Sequence, residues 1–338
     1  MAPTLGRFHV AVGPGAGKYF GVHMDRREFL SIGIGLALAG AASGQTRAEP
    51  STKFKIDAYS RHLQWLKTAD EVAEATKEMG YDGVDLTVRP KPGHVDPARV
   101  AEELPPFVKT IRQHGLQVVT ITAPITDADS PYAEEILQAA SDLDIHHYWW
   151  GTFRYEQSKP IMQQLDALKL RVAKLAALNA KYKMTAMYHT YSGNAVGAAI
   201  WDFLYVLKDF DPALVGFHYD VGHMTNAGGN GTWVTGLRAA GPYVRGVSVK
   251  DSFIEKTENG EWRVRYVPLG QGNVQLPQFA RVLREINFSG PIEIQAEYPN
   301  GGAENAMDHI SLPREQVLGA MKRDQEVLRR ALASVGLA

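Results

Sequence analysis

The chain reads as an α/β protein built as a single (β/α)8 (TIM) barrel. Three observations predict it. Eight short segments look like strands, amphipathic helical stretches lie between them, and nearly every segment ends on a polar side chain. The segments are Phe54–Tyr59, Gly83–Thr87, Val118–Ala123, His147–Gly151, Met184–His189, Val215–Asp220, Val244–Lys250 and Ile292–Glu297. In such a barrel the reactive groups stand at the C-terminal ends of the strands.

Strand one leads into Ser60-Arg61-His62, and the helix near Ala69–Met79 stops at Gly80, the residue type that most readily takes a left-handed helix end. Strand two continues into Val88-Arg89-Pro90 and a loop to Pro97, whose fixed φ suits the first turn of a helix ending near His114-Gly115. A helix over Tyr132–Leu143 separates strands three and four, and a long one spans Lys159–Lys181. Strand five opens onto the loop Tyr191-Ser192-Gly193-Asn194 and a helix over Ala198–Phe210. Strand six runs into a glycine-rich loop, Val221–Gly231, before a helix over Thr232–Ala240. After strand seven comes an insertion centred on Glu258-Asn259-Gly260-Glu261. Asn-Gly between β-branched and aromatic residues signals a hairpin, here one placed to lie over the barrel mouth as a lid. Strand eight and a helix over Arg314–Ser334, packed beside the first helix, close the ring.

The chain has 338 residues, 45% hydrophobic and 22% charged, which suffices for a large core. One barrel takes about 250 residues, here 52–336. A formal net charge of −1 gives no electrostatic case for nucleic acid or an anionic membrane. The absence of cysteine excludes disulfides, thiolate ligands and a cysteine nucleophile. Ahead of the barrel, in residues 24–48, Arg26-Arg27 and Phe29-Leu30 precede an apolar run from Ile32 to Ala42 and a cleavage-like Thr46-Arg47-Ala48. This resembles a twin-arginine (Tat) export signal. The run is too short for a stable membrane anchor. The expectation is periplasmic export through the Tat machinery, with Met24 as the true start and residues 1–23 as mis-assigned leader.

The strand ends bring chemistry together. Asp220 and His223 form Asp-x-x-His after strand six, His189 ends strand five, Lys250 and Asp251 end strand seven and Glu297 ends strand eight. All are expected at one mouth. Mixed carboxylates and imidazoles suit Mn²⁺, Zn²⁺, Co²⁺ or Fe²⁺ better than Ca²⁺. His189, Asp220, His223 and Glu297 are therefore the candidate ligands of a divalent metal. Glu297 or His189 would take a proton next to a carbonyl while Lys250 stabilises the oxygen that gains charge. Arg89, His62, Trp150 and Asp251 are candidate substrate contacts. Trp150 belongs to an aromatic group with Tyr148, Trp149 and Phe153, fit either for stacking a sugar or for core packing. Plainer roles stand beside these: Asp220 can cap the following turn, and Glu297 can pair with Lys250 without an ion.

Several of these segments resemble one family. Tyr81-Asp82-Gly83-Val84-Asp85-Leu86, His218-Tyr219-Asp220-Val221-Gly222-His223, Val249-Lys250-Asp251, Pro268-Leu269-Gly270-Gln271-Gly272 and Gly290-Pro291-Ile292 occur in the order found in the xylose-isomerase-like TIM barrels, or sugar phosphate isomerases/epimerases. The resemblance implies metal ligands Glu, Asp, His and Glu from strands that include five to eight. Asp220 and His223 carry over. Ser248 stands where the family's His falls, Gln295 where its last Glu falls, and Met187, Tyr188 and His189 occupy the region of its first Glu. Tyr191 stands where exported members commonly have a second His. The resemblance implies a carbohydrate isomerase or epimerase acting on a small-molecule sugar. A lyase acting on 3-keto-glycosides and a sugar-binding barrel with a degraded site are the alternatives.

Overall fold

Eight parallel strands close into a ring in the computed structural model, which describes residues 54–337. They are β1 (Ile56–Tyr59), β2 (Gly83–Thr87), β3 (Gln117–Thr122), β4 (His147–Trp150), β5 (Thr185–His189), β6 (Val215–Asp220), β7 (Val244–Val249) and β10 (Ile292–Ile294). Each pairs in parallel with its sequence neighbour around the ring, and β1 closes it against β10 with Ile56 opposite Ile292. The expected export signal and chain start lie outside the described residues. No helix among the described residues is long and apolar enough to cross a membrane.

The helices follow from local sequence. In α1 (Ala69–Met79) the Thr68 side chain accepts from Glu71 N–H while Glu71 reaches back to the Thr68 backbone, and Gly80 ends the helix at φ 80°. These are a reciprocal N-terminal cap and a left-handed stop. Helices α2 (Val100–Gln113), α3 (Ala133–Asp142), α4 (Ile161–Tyr182) and α5 (Trp201–Leu207) cover the next crossovers. The last helix, α8 (Arg314–Ala333), packs beside α1 as expected: Arg314 pairs with Glu78 at 2.7 Å, and Tyr81 Oη donates to Met321 O at 3.1 Å.

One element departs from the sequence reading. The glycine-rich stretch after β6 is helix, α6 (Val221–Ala240), interrupted at Gly229 where φ is 68°. The cause is the Asp220 carboxylate, which accepts from His223 N–H at 2.8 Å and caps the first turn. A good cap outweighs a few glycines a turn or two further on. After β7 the insertion is an antiparallel hairpin, β8 (Asp251–Lys256) and β9 (Trp262–Val267), before α7 (Leu276–Glu285).

Alternation along the strands sends Ile56, Ala58, Val84 and Leu86 to the apolar shell beneath the helices. It sends Asp57, Asp85, His218, Ser248 and Glu293 inward, where they meet one another. Thr122 Oγ1 donates to Asp85 at 2.9 Å, Ser248 Oγ donates to Glu293 at 2.7 Å, and Gln117 Nε2 donates to Asp57 at 2.8 Å. A polar layer thus fills the barrel directly below the mouth.

Candidate active site

The C-terminal end of the barrel opens into a cavity of about 520 Å³. Its lining includes Tyr59, Arg61, Arg89, Trp149, Tyr191, Gln295 and Glu297. Strand β10 supplies its floor: the chain leaves regular pairing after Ile294 and carries Gln295 and Glu297 to the mouth, two residues apart and so on one side.

At that floor one ammonium organises everything around it. Lys250 Nζ lies 2.9 Å from His223 Nε2, 3.0 Å from Gln295 Oε1, 3.0 Å from Glu297 Oε2 and 3.0 Å from Asp220 Oδ2. Three of the contacts are hydrogen bonds that use all three N–H groups, and the fourth is ionic. Because His223 Nε2 accepts, its proton is on Nδ1, 3.2 Å from Ser192 Oγ. Lys250 is 1% exposed. Burial pulls its pKa down, but Asp220 and Glu297 pull it further up, so it stays charged. Burial raises the Asp220 carboxyl to about 6 against the pull of Lys250, leaving it ionised at neutral pH. Burial also acts to raise Glu297, but there the Lys250 charge and hydrogen bond win, and the carboxyl falls to about 2.

The structure brings some predicted site residues together and separates others. Glu297 and Arg89 line the cavity. His189, Asp220 and His223 converge, with a donor atom of each within 4.8 Å of the others. They lie beneath the mouth rather than at it, since His189 is 1%, Asp220 0% and His223 5% exposed. Burial first, then neighbouring His218, Lys250 and His223, hold the His189 imidazole well below its usual pKa. His189 is therefore neutral and buried, packed behind Trp149 and Tyr191 of the cavity lining. Lys250, expected to hold charge on the substrate, spends its protons inside the protein instead. Glu297 is not part of the His–Asp–His group and joins it only through Lys250.

Three expected substrate contacts point elsewhere. Trp150 is fully buried, with Nε1 donating to Thr126 O at 2.9 Å and its ring edge-on to Tyr188. Its neighbour Trp149 lines the cavity, because successive strand residues face opposite sides. Asp251 is 1% exposed and accepts from the backbone N–H of Ser252, Gly270, Gly272 and Val274, so it holds a loop. His62 is sealed edge-on to Tyr59, 3.3 Å from Ala303 O, while the adjacent Arg61 reaches the cavity. Sequence reasoning also missed Tyr266 of β9, whose ring lies 5.4 Å from Lys250 Nζ and covers it.

The donor set at the place the resemblance implies departs from the family's Glu, Asp, His and Glu. Among the described residues the two groups able to hold a metal are His189–Asp220–His223 and His189–His218–Glu293. In the first, Asp220 and His223 already converge on the Lys250 ammonium. The family positions at Ser248 and Gln295 offer a hydroxyl and an amide, and both bond Glu293.

Residues 73–319 match the family model described as xylose isomerase-like TIM barrel. Among solved structures, the IOLI protein with a bound zinc atom is similar at TM-score 0.61 and 13% identity, over 82% of this chain and 99% of that one. The 3-keto-D-glucoside 4-epimerase from E. coli is similar at TM-score 0.59 and 14% identity, over 81% and 100%. D-psicose 3-epimerase from Clostridium cellulolyticum H10, solved with D-tagatose, is similar at TM-score 0.58 and 12% identity, over 82% and 99%. No curated protein sequence matches the chain.

Proposed function

The chain belongs to the xylose isomerase-like TIM barrel family, and from that premise we propose that it is a carbohydrate isomerase or epimerase that removes a proton beside a carbonyl. The observation that supports this reading is Glu297. It is the one carboxylate among the lining residues of the mouth cavity, fixed through Oε2 by Lys250, and it shares that lining with Arg61 and Arg89. Its low pKa keeps it ionised, and so able to accept a proton, at neutral pH. The base is weak, so the C–H must be acidified by the partner group. A guanidinium donating to the carbonyl oxygen does this by taking up the charge that develops as the proton leaves. Trp149, Tyr59 and Tyr191 offer aromatic faces to the apolar faces of a sugar ring.

One base on one side of the enediolate suits transfer of the proton between neighbouring carbons. The proton leaves the carbon next to the carbonyl, its electron pair forms the enediol C=C bond, and the carbonyl oxygen becomes the charged one. Return of the proton to the former carbonyl carbon, as the neighbouring hydroxyl passes its proton to the charged oxygen and becomes the new carbonyl, gives the isomer; the epimer forms when the first carbon instead takes a proton on its other face, which solvent would supply. No step requires a metal. The export signal read at residues 24–48 favours a periplasmic setting and a free sugar over a sugar phosphate; fractionation of cells carrying the full chain checks the location.

Incubation of the purified chain with keto- and aldo-sugars in D₂O tests the reaction. The expected result is deuterium at the carbon next to the carbonyl, lost about 10²–10⁴-fold in Glu297→Gln. Full exchange in Glu297→Gln removes the assigned base, and no exchange with any sugar removes the enzyme reading. Release of a free aglycone from a 3-keto-glycoside would reassign the second step to elimination.

A further inference from the structure

We infer that the ammonium of Lys250 is itself the resident cation of this site, taking the place of the divalent ion that the family resemblance implies. Four acceptors from three elements converge on Nζ at 2.9–3.0 Å: Asp220 from β6, His223 from α6, and Gln295 and Glu297 from the end of β10. This is the ligand arrangement of a bound cation, with an amino acid supplying the charge.

The replacements elsewhere keep the electrostatics in step. A Glu, Asp, His and Glu set brings three carboxylates to a dication, which leaves one net negative charge. Here the first Glu is missing and the last is Gln295, while Glu297 is added beside Asp220, so two carboxylates meet a monocation and leave the same net charge. Gln295 is oriented for this role, presenting Oε1 to the ammonium and donating through Nε2 to Glu293 at 2.7 Å. Ser248, where the family's His falls, turns to Glu293 and gives the ammonium nothing.

The protein is also shaped around the lysine stem. A Cβ at Gly222 would meet Lys250 Cγ at 2.6 Å and Lys250 O at 2.8 Å, so the first turn of α6 closes over the side chain only because that residue is glycine. Tyr266 covers the other side. An ion bound to Asp220 or His223 at the usual distance of about 2.0–2.2 Å would compete for the same lone pairs with a like charge about 3 Å from each. Either the lysine leaves its cradle or the ion stays out. Lys250 does not touch the cavity and acts as a positioning residue, aiming Glu297.

The test reads metal content and stability, not turnover, so it stands or falls separately from the proposed reaction. The full chain is purified from metal-replete medium, assayed for metals by mass spectrometry, and melted with EDTA, Zn²⁺ or Mn²⁺. The wild type is expected to hold far less than one ion per chain and to melt at the same temperature throughout. Lys250→Ala and the near-isosteric Lys250→Met are expected to gain about one Zn²⁺ or Mn²⁺ per chain, with a melting temperature that rises on adding the ion. Close to one tightly held ion in the wild type, or a melting temperature lowered by EDTA, overturns the inference even if neither variant folds. A folded variant that takes up no ion overturns it too.

Discussion

Trp149 and Trp150 are chain neighbours placed in opposite surroundings. Trp150 is fully buried among Phe153, Tyr188 and Phe203. Trp149 borders the cavity, tilted against the His189 ring at 5.4 Å between centroids, and its Nε1–H has no acceptor among the described residues. That donor is itself buried, so what Trp149 offers the cavity is ring surface, which suits stacking on a sugar face. Trp150→Ala should therefore cost about 3–5 kcal/mol of stability through the void it leaves, read as a lowered denaturation midpoint. Trp149→Ala should leave the midpoint nearly unchanged and raise KM. A reversed pair of results would place the stacking face on Trp150 after all. The sequence could not have told the two apart. His147-Tyr148-Trp149-Trp150 has no apolar–polar alternation, and β4 is only four residues long, so nothing marks which parity faces inward. Glu297 and Arg89 were legible because strand-end position alone put them at the mouth. The saturation of Lys250 was not, since it depends on the register of β6, β7 and β10 together with the cap of α6.

At the scale of elements, the hairpin β8–β9 was readable from Asn259-Gly260, and Gly260 indeed takes φ 84°. The helix α6 was not, because glycine density suggested loop while the deciding residue, Asp220, looked like a ligand. It caps the helix and contacts Lys250 at once. Asp251 has a comparable structural task at the base of the hairpin. Its Oδ1 accepts from Ser252 and Val274 and its Oδ2 from Gly270 and Gly272, tying the return of the hairpin to the end of β7. Asp251→Ala strands four backbone donors, each costly when buried without a partner. The expected loss is about 2–4 kcal/mol after water reaches some of them. Hydrogen exchange should quicken in residues 268–274 and the hairpin first. Asp251→Asn should fall between, because an amide nitrogen would face two of the N–H groups. Unchanged exchange in Asp251→Ala would show that this loop holds itself.

The whole barrel was legible from the order of strands and helices, because eight alternating units have few other ways to bury their apolar faces. Its interior was less so. Every residue of β1, β2, β5 and β6 is buried, so burial pattern alone does not separate the inner face from the outer. The sign of that interior is Asp57, Asp85, His218 and Glu293, isolated polar residues within apolar strands. Their burial has a consequence for stability. Burial raises the Asp57 carboxyl from 3.8 to about 7, against a hydrogen bond from Gln117 and with Asp82 and Glu293 adding repulsion. Between pH 3.8 and 7 the folded chain keeps a proton that the unfolded chain releases, so this group makes stability fall as pH rises through the window. The loss is complete above pH 7 and amounts to at most about 4 kcal/mol. Asp57→Asn mimics the protonated form, keeps an oxygen for Gln117, and should be more stable than wild type above pH 7, with the difference shrinking toward nothing near pH 4. Buried His62, held down to about 4 by burial, works the other way, weakening the fold as pH falls from 6.5 toward 4. That contribution is common to both chains and cancels in the difference. Urea denaturation of the two proteins at matched pH values between 4.5 and 8.5 isolates the Asp57 effect. A difference that does not grow with pH would mean that Asp57 is ionised within the barrel.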